Sequence, residues 1–480
     1  METKILNRKN MFLAKKKSIN LFFYVIPLLI LTALVLIALD VITLNKILLV
    51  VFGLLAVGAI FILAFTNLNK FLLAFTLYLP FSRMLPGDFG TGTWAFNLTN
   101  IFFILAIFAI FKENLTSNLN LSLKSSITIP IIIFSILGIL SFIKSGFYFG
   151  YVYFGQFLSP LKEWLLPLFL FFLFFVSVKN KNDIRQFVML ITIITICIAV
   201  LVVFEYLKVR EADDFEKMRV GAIFEQPNSA GAFFVYYAFI LVGLFLMNIR
   251  KYRYWFLSLP ILVSARALMY TFSRGAIIAF VCAGLFITFI KNKLMFLIVC
   301  LLLVLAFLKP TILPSALYYR FSSTFVKDKA TYDVAIEEKL EPSAQQRIVV
   351  WRGAIQMIKD HPLFGVGYGV FPHLISFYAP VGQMDAHNTY LILFAELGLI
   401  GLISFLWIIA LIFKNTWFVY RKAKDKFIKA FALGFLAGIF GLMVCNIFGS
   451  RLDSLALTGF FWILAALIFK SKRLIKAGQL

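Results

Sequence analysis

The chain has 480 residues, 62% of them hydrophobic and only 14% charged, with a mean hydropathy of +0.95 and a formal net charge of +24. Soluble domains are roughly 45–50% apolar and about 25% charged, so too few polar groups exist here to cover a water-facing surface. That excludes a string of soluble domains and leaves nucleic acid or a membrane to account for the basic balance.

A spanning helix needs about 20 mostly apolar residues. In chain order, apolar runs cover 21–39, 47–66, 71–85, 95–111, 127–143, 161–178, 187–205, 229–248, 254–271, 275–290, 293–309, 388–413, 427–447 and 455–470. The third and tenth are short, so the expected count is about 14 spans, 12–14 in range. The predicted fold is all-α, a polytopic transmembrane helical bundle. Its regions are 1–205, a membrane-embedded first part; 206–470, a second part that carries the long loops; and 471–480, a tail.

Lys and Arg accumulate in cytoplasmic segments. With the N-terminus inside, 27 of the 46 basic residues fall in or beside those segments, against four acidic ones, Glu2, Glu113, Asp183 and Asp425. The inside then carries about +23 and the other face about +1. The net charge thus reads as a topology signal, with both termini cytoplasmic and no nucleic-acid partner. Lys15, Lys16 and Lys17 before a long apolar run read as an uncleaved start-transfer anchor. Cys197, Cys282, Cys300 and Cys445 all lie in candidate spans and read as packing groups. No Cys/His spacing suggests a metal, and no cofactor is expected.

Two external loops are long, 206–228 and 310–387, and long loops tend to carry function. The first is charged and ends in Arg219, Gly221, Pro227 and Asn228 as the next span begins. Arg274, in Ser273-Arg274-Gly275, sits at a re-entry turn. An arginine there either anchors to lipid headgroups or turns its planar fork to a phosphate. Arg219 and Arg274 together suggest a diphosphate at the lipid–water boundary.

In the long loop, Ser343 to Gln346 matches a capping box and opens a helix that ends near Asp360, because Pro362 disfavours helix at His361. Trp351, Ala354, Ile355 and Ile358 form its apolar stripe. Arg347 lies four residues before Trp351 on that face, either in a cation–π contact with Trp351 or turned to an anion. Gly365-Val366-Gly367-Tyr368-Gly369 has no strand–helix–strand setting, so it reads as a tight turn whose bare backbone approaches a ligand rather than as a dinucleotide fingerprint. Asn388 is the predicted N-cap of the next span, which puts His387 at the positive end of a membrane helix. Nearby arginines and that helix end disfavour imidazolium, so His387 is expected neutral and able to accept a proton. His361 and His373 read as structural. Glu396 and Arg266 lie at equal depth, roughly 12 Å in at 1.5 Å per residue. Intramembrane charges are normally paired, so an Arg266–Glu396 pair is expected.

Together, Arg219…Pro227-Asn228, Ser273-Arg274-Gly275, Arg347…Trp351…Asp360-His361-Pro362-Leu363-Phe364-Gly365-Val366-Gly367 and His387-Asn388…Glu396-Leu397-Gly398 resemble the O-antigen ligase and O-antigen polymerase superfamily of bacterial membrane glycosyltransferases. The motifs cover about 220–400; before that only hydropathy agrees. The resemblance implies a GT-C-like bundle with its catalytic part in 206–470, a multi-pass protein of the bacterial cytoplasmic membrane with its site on the periplasmic or outer face. It implies a metal-independent, inverting transfer of a glycan from undecaprenyl diphosphate to an acceptor hydroxyl, on a further glycan or on lipid A–core. Carried over by residue, His387 is the general base and Arg219, Arg274 and Arg347 hold the diphosphate. Asn228, Ser273, Asn388, Glu396 and Arg266 support them. The long-loop helix and compact His-Asn motif lean toward a ligase over a polysaccharide polymerase. A lipid-linked oligosaccharide flippase is the reading from another class. Transporters usually show internal repeats, and none is visible here.

Overall fold

The computed structural model describes residues 58–82, 97–117, 121–211, 215–224, 226–309, 318, 322, 341–452 and 454–480. All regular structure among them is helical. The helices are α1 (Leu68–Tyr78), α2 (Leu98–Ser117), α3 (Thr128–Phe149), α4 (Tyr151–Ser177), α5 (Lys181–Val209), α6 (Pro227–Asn248) and α7 (Ser258–Tyr270). There follow α8 (Arg274–Lys291), α9 (Lys293–Leu308), α10 (Pro342–Asp360), α11 (Phe371–Leu374), α12 (Thr389–Lys422), α13 (Lys426–Cys445) and α14 (Leu455–Lys476).

Among the described residues nine helices are long and apolar enough to cross a membrane: α2 to α6, α8, α12, α13 and α14. The candidate at 21–39 and most of that at 47–66 lie outside the described residues. The run at 254–271 gives only the 13-residue α7, preceded by a 3-10 turn over Tyr252–Leu257. It stops because Phe272 takes a left-handed φ of 48°, which ends helical pairing. The run at 161–178 is longer than its apolar pattern: α4 starts at Tyr151 and passes through Pro160 and Pro167.

Short polar side chains start several of these helices. Asn180 caps α5 in a reciprocal arrangement with Asp183, Asn292 caps α9, Asn388 caps α12 and Asp425 caps α13. Each offers an oxygen to backbone N–H groups that the first turn leaves unpaired. At the opposite ends, Lys291, Arg421, Lys422, Arg473 and Lys476 sit in last turns, where cations suit the helix dipole.

The most buried helices are α6 and α14, with α13 against α6. A β-carbon on Gly434 would lie 2.3 Å from Phe239 O, one on Gly438 2.3 Å from Tyr236 O, and one on Gly243 2.4 Å from Ala430 O. The two backbones therefore touch directly, the way helices associate in lipid, where no hydrophobic force acts between them. Polar groups inside this core are matched: Tyr236 Oη donates to Asn446 Oδ1 at 3.0 Å, and Tyr237 Oη donates to Leu457 O at 2.5 Å. Outside, rows such as Ile104, Ile107, Phe108 and Phe111 on α2 and Leu294, Leu297, Leu301 and Leu308 on α9 are exposed. Apolar surface on this scale exceeds what a soluble monomer shows and suits acyl chains.

One break in the bundle positions everything that follows. At Gly398, with φ 70° and ψ −173°, α12 leaves helical geometry. Leu399 N, which would pair with Ala395 O in an unbroken helix, donates to Pro362 O at 2.8 Å instead. Ala395 O accepts from Val366 N at 2.7 Å, and Glu396 O accepts from Gly367 N at 3.0 Å. The glycine-rich turn thus approaches protein backbone where a ligand was expected: a β-carbon on Gly365 would lie 2.4 Å from Glu396 C, and one on Gly398 2.1 Å from Leu363 O. From the other side Lys144 Nζ donates to Gly365 O at 2.6 Å, and Ser141 Oγ donates to Glu396 O at 2.9 Å.

Gly398→Ala should lower stability by about 1–3 kcal/mol from the left-handed φ alone, with the clash at Leu363 O adding to it. A detergent-solubilised thermal melt checks this, and a variant with an unchanged midpoint would refute the role of the break.

Candidate active site

Arg219 follows a 3-10 turn over Phe215–Met218 and is held on three sides. Its Nη1 pairs with Glu216 Oε2 at 2.7 Å, Nη2 donates to Asn228 Oδ1 at 3.1 Å, and Nε donates to Thr271 O at 3.3 Å. One guanidinium so joins the loop before α6, the first turn of α6 and the turn between α7 and α8. Val220 N adds a bond to Tyr270 O.

Arg274 is the first residue of α8, after the buried Ser273 at its N-cap position, and it forms an ion pair with Glu341. Glu341 is the N-cap residue of α10, so the pair ties two helix starts together. The expected capping box does not form. With Pro342 in the first turn, where proline is favoured, Ser343 lies inside the helix and no side chain caps it. The buried face of α10 is Val350, Gly353, Ala354, Met357 and Ile358, while Ile355 faces out.

Arg347 projects from α10 into the field of Arg274, Arg451 and Arg219, opposed by Glu341. Burial first, then those arginines, pull its guanidinium below the usual arginine range, although a guanidinium keeps its charge at neutral pH. No cation–π contact with Trp351 forms among the described residues. The Trp351 indole donates to Ala386 O at 2.7 Å, which fastens α10 to the start of α12.

The carbonyl that Trp351 holds belongs to the residue before His387. His387 is half-exposed with a left-handed φ of 48°, and Asn388 behind it accepts from Tyr390 N at 3.0 Å and Leu391 N at 3.1 Å. A non-glycine residue in that conformation stores strain of about 1–3 kcal/mol, a cost most often met at functional sites. Burial is the largest influence and pushes the imidazole pKa down; Asp385 comes next and pushes against it, and Arg347 and Arg451 then add to the lowering. Asp385 Oδ1 lies 3.5 Å from His387 Nδ1, takes the His387 backbone N–H and accepts from Ser450 Oγ at 2.8 Å.

The expected Arg266–Glu396 pair does not form. Arg266 is exposed on α7, where Nε donates to Tyr270 Oη at 2.9 Å and the guanidinium lies 5.0 Å from the Tyr270 ring. Glu396 is buried at 5% exposure, and its Oε1 accepts from Phe371 N at 3.2 Å. The break at Gly398 brings the start of α11 to the carboxylate, so backbone N–H replaces the distant cation.

Three groups here escaped the sequence reading of the site. Glu341 and Asp385 join Glu216 as carboxylates among the arginines and histidine. Arg451 is 6% exposed between α13 and α14, its Nη1 donating to Cys445 O at 2.8 Å. An arginine in a short turn between two apolar spans, and the Asp-x-His spacing, were the available signals. The assembled centre holds four guanidinium groups, three carboxylates and a histidine whose pKa is lowered. Such a centre can bind an anion and accept a proton beside it. Among the described residues no three His, Cys, Asp or Glu side chains gather as metal ligands.

The side chains of Arg274 and Glu341 are 18% and 15% exposed. A double-mutant cycle with Arg274→Gln and Glu341→Gln, read by unfolding in detergent, should give a coupling of about 0.5–3 kcal/mol; additive effects would mean the pair does not join α8 to α10.

Residues 259–406 match the family described as O-antigen ligase, a segment running from α7 through the middle of α12. No curated protein matches the chain.

Proposed function

From the match of residues 259–406 to the O-antigen ligase family we propose that the chain is a ligase-type glycosyltransferase of the O-antigen ligase and polymerase superfamily. In this reading it moves a glycan from undecaprenyl diphosphate to an acceptor hydroxyl at the outer face of the bacterial cytoplasmic membrane. The observation that carries the proposal is His387, in a left-handed conformation and with its pKa lowered by burial and by Arg347 and Arg451, beside the cluster that Arg347 forms with Arg219, Arg274 and Arg451.

The acceptor oxygen attacks the anomeric carbon, its O–H proton passes to His387, and the bond from that carbon to the diphosphate oxygen breaks with inversion. Asp385 beside Nδ1 favours the tautomer with its proton there, leaving Nε2 to take the acceptor's proton. The leaving diphosphate gains charge as the bond breaks. Arg219 and Arg274, fixed by Asn228, Thr271 O and Glu341, need little rearrangement to receive it, which is how preorganised donors lower a barrier. Starts of α6, α8 and α12 lie at the same centre and add the positive ends of their dipoles. The carboxylates are placed as partners of cations and of His387, not as a facing acid–base pair for glycoside hydrolysis.

Reconstitution in vesicles with an undecaprenyl-diphosphate-linked oligosaccharide and either lipid A–core or a second lipid-linked glycan tests the proposal. Transfer to lipid A–core is expected. Growth of the lipid-linked chain instead assigns a polymerase, and glycolipid movement with its diphosphate link intact assigns a flippase. His387→Ala should abolish transfer while donor binding persists; undiminished turnover would overturn the mechanism. Arg219→Ala and Arg274→Ala should each cost about 10²–10³-fold in kcat.

The pH dependence has a definite sign. Neutral His387 is the active form, so kcat/KM rises with pH through its pKa, which sits below the ordinary value of about 6.5. Asp385→Asn removes the influence that raises that pKa and should move the acid limb lower. Arg347→Gln removes one that lowers it and should move the limb higher. Limbs that stay put in both variants would exclude His387 as the titrating base.

A further inference from the structure

Next to His387 the protein has a cleft of about 230 Å³ that Arg219, Arg274 and Arg347 do not line. Its walls are Phe157 and Trp164 of α4, Tyr368 of the glycine-rich turn, Asp385, Glu396 and Arg451. Arg451 is nine-tenths buried, yet among the described residues it pairs with no carboxylate. Both of its protein acceptors, Cys445 O at 2.8 Å and Cys445 Sγ at 3.4 Å, are reached through Nη1. Nε and Nη2 are left as donors for something else. Neither atom is a fully buried unpaired group, so both keep accessible surface where Arg451 lines the cleft and can donate to a ligand there.

The lining selects among ligands. Two carboxylates and a guanidinium exclude an acyl or prenyl tail, for which burying charge is costly. The same carboxylates repel a second phosphate. Three aromatic rings beside hydrogen-bonding groups of both kinds suit a sugar ring. Its C–H face lies against the negative face of an aromatic, its hydroxyls donate to Asp385 and Glu396, and its oxygens accept from Arg451. At about 230 Å³ the cleft is below the roughly 300–1,000 Å³ of drug-sized sites, which is room for a single ring.

Asp385 links this cleft to the chemistry, since its Oδ1 lies 3.5 Å from His387 Nδ1. Resting on the transferase reading, we infer that the cleft is the subsite for the acceptor sugar ring, holding it on Phe157, Trp164 and Tyr368 so that its hydroxyl meets His387. The anionic end of the donor and the acceptor ring then occupy separate sets of residues.

The test uses the full chain in detergent, with a panel of methyl glycosides of common hexoses and N-acetylhexosamines as probes and saturation-transfer NMR as readout. Phe157→Ala removes a half-exposed wall, and Ile392→Trp fills the cleft from half-buried α12 without deleting a hydrogen bond. At least one glycoside is expected to bind, with affinity reduced at least tenfold in both variants and inorganic diphosphate binding unchanged. In turnover, both variants should raise the acceptor KM at least tenfold and leave the donor KM alone. Equal glycoside binding in all three proteins, no glycoside binding at all, or a rise confined to the donor KM would each overturn the subsite. Failure of the transferase reading shows differently: no transfer by the wild type with any donor, whatever the glycosides do.

Discussion

A helix broken inside a membrane must have its freed backbone groups paired by protein, because hydrocarbon offers no hydrogen bonds and each orphan costs several kcal/mol. That requirement, met at Gly398, organises this molecule. Pro362 O and the amides of Val366 and Gly367 take the places that the unbroken helix would have filled. The segment between α10 and α12 is thereby stitched into the bundle rather than hanging over it. Lys144, Ser145 and Tyr153 hold the same segment from α3 and α4, while Ser141 holds Glu396 O of α12 itself. The first turns of α12, with His387 before them, inherit their orientation from these bonds.

The electrostatics of the centre follow from this scaffold. Four arginines converge, but they are not loose charges on flexible stems. Arg219 is pinned by a side-chain amide, a carboxylate and a backbone carbonyl, and Arg274 by Glu341. Each is set before any ligand arrives, so ligand binding does not have to order it. Their mutual repulsion, which lowers the Arg347 affinity for its proton, is relieved when an anion enters. Burial first, and Arg347 and Arg451 of this set after it, lower the pKa of His387. In the proposed reaction, anion binding and proton acceptance draw on overlapping parts of this charge distribution.

Local chemistry was readable in the sequence and through-space partnership was not. The Asn388 cap, the end of α10 at Asp360 and the apolar spans depend on neighbours within four residues, and these stood clear in the pattern. The span expected at 161–178 begins ten residues earlier, at Tyr151, because the helix runs on through Pro160, which a membrane helix tolerates when its surroundings re-satisfy the backbone, and sequence does not display the surroundings. Ser343 failed as a cap because Pro342 already starts the helix one residue earlier. Equal depth suggested Arg266 and Glu396 as partners, yet depth ignores azimuth, and Arg266 faces outward on α7. Glu341 acquires its meaning from Arg274, 67 residues away along the chain, whereas Asp385 had a visible partner in His387 two residues on. The family match, confined to 259–406, leaves Arg219, Asn228 and Arg451 outside it, so the centre is wider than the segment that identifies it.

The seam of Gly243, Gly434 and Gly438 between α6 and α13 has a consequence for the protein's relation to its bilayer. Backbone-to-backbone packing leaves no compressible side-chain layer, so the two helices slide past one another only by breaking close contacts along their length. The height of the centre above the mid-plane is therefore a property of the chain. Where bilayer thickness changes, the mismatch is taken up at the outer helices, such as α2 and α9, whose exposed isoleucine and leucine rows meet lipid. The rigid inner pair acts as a depth gauge, and the lipid bends to it.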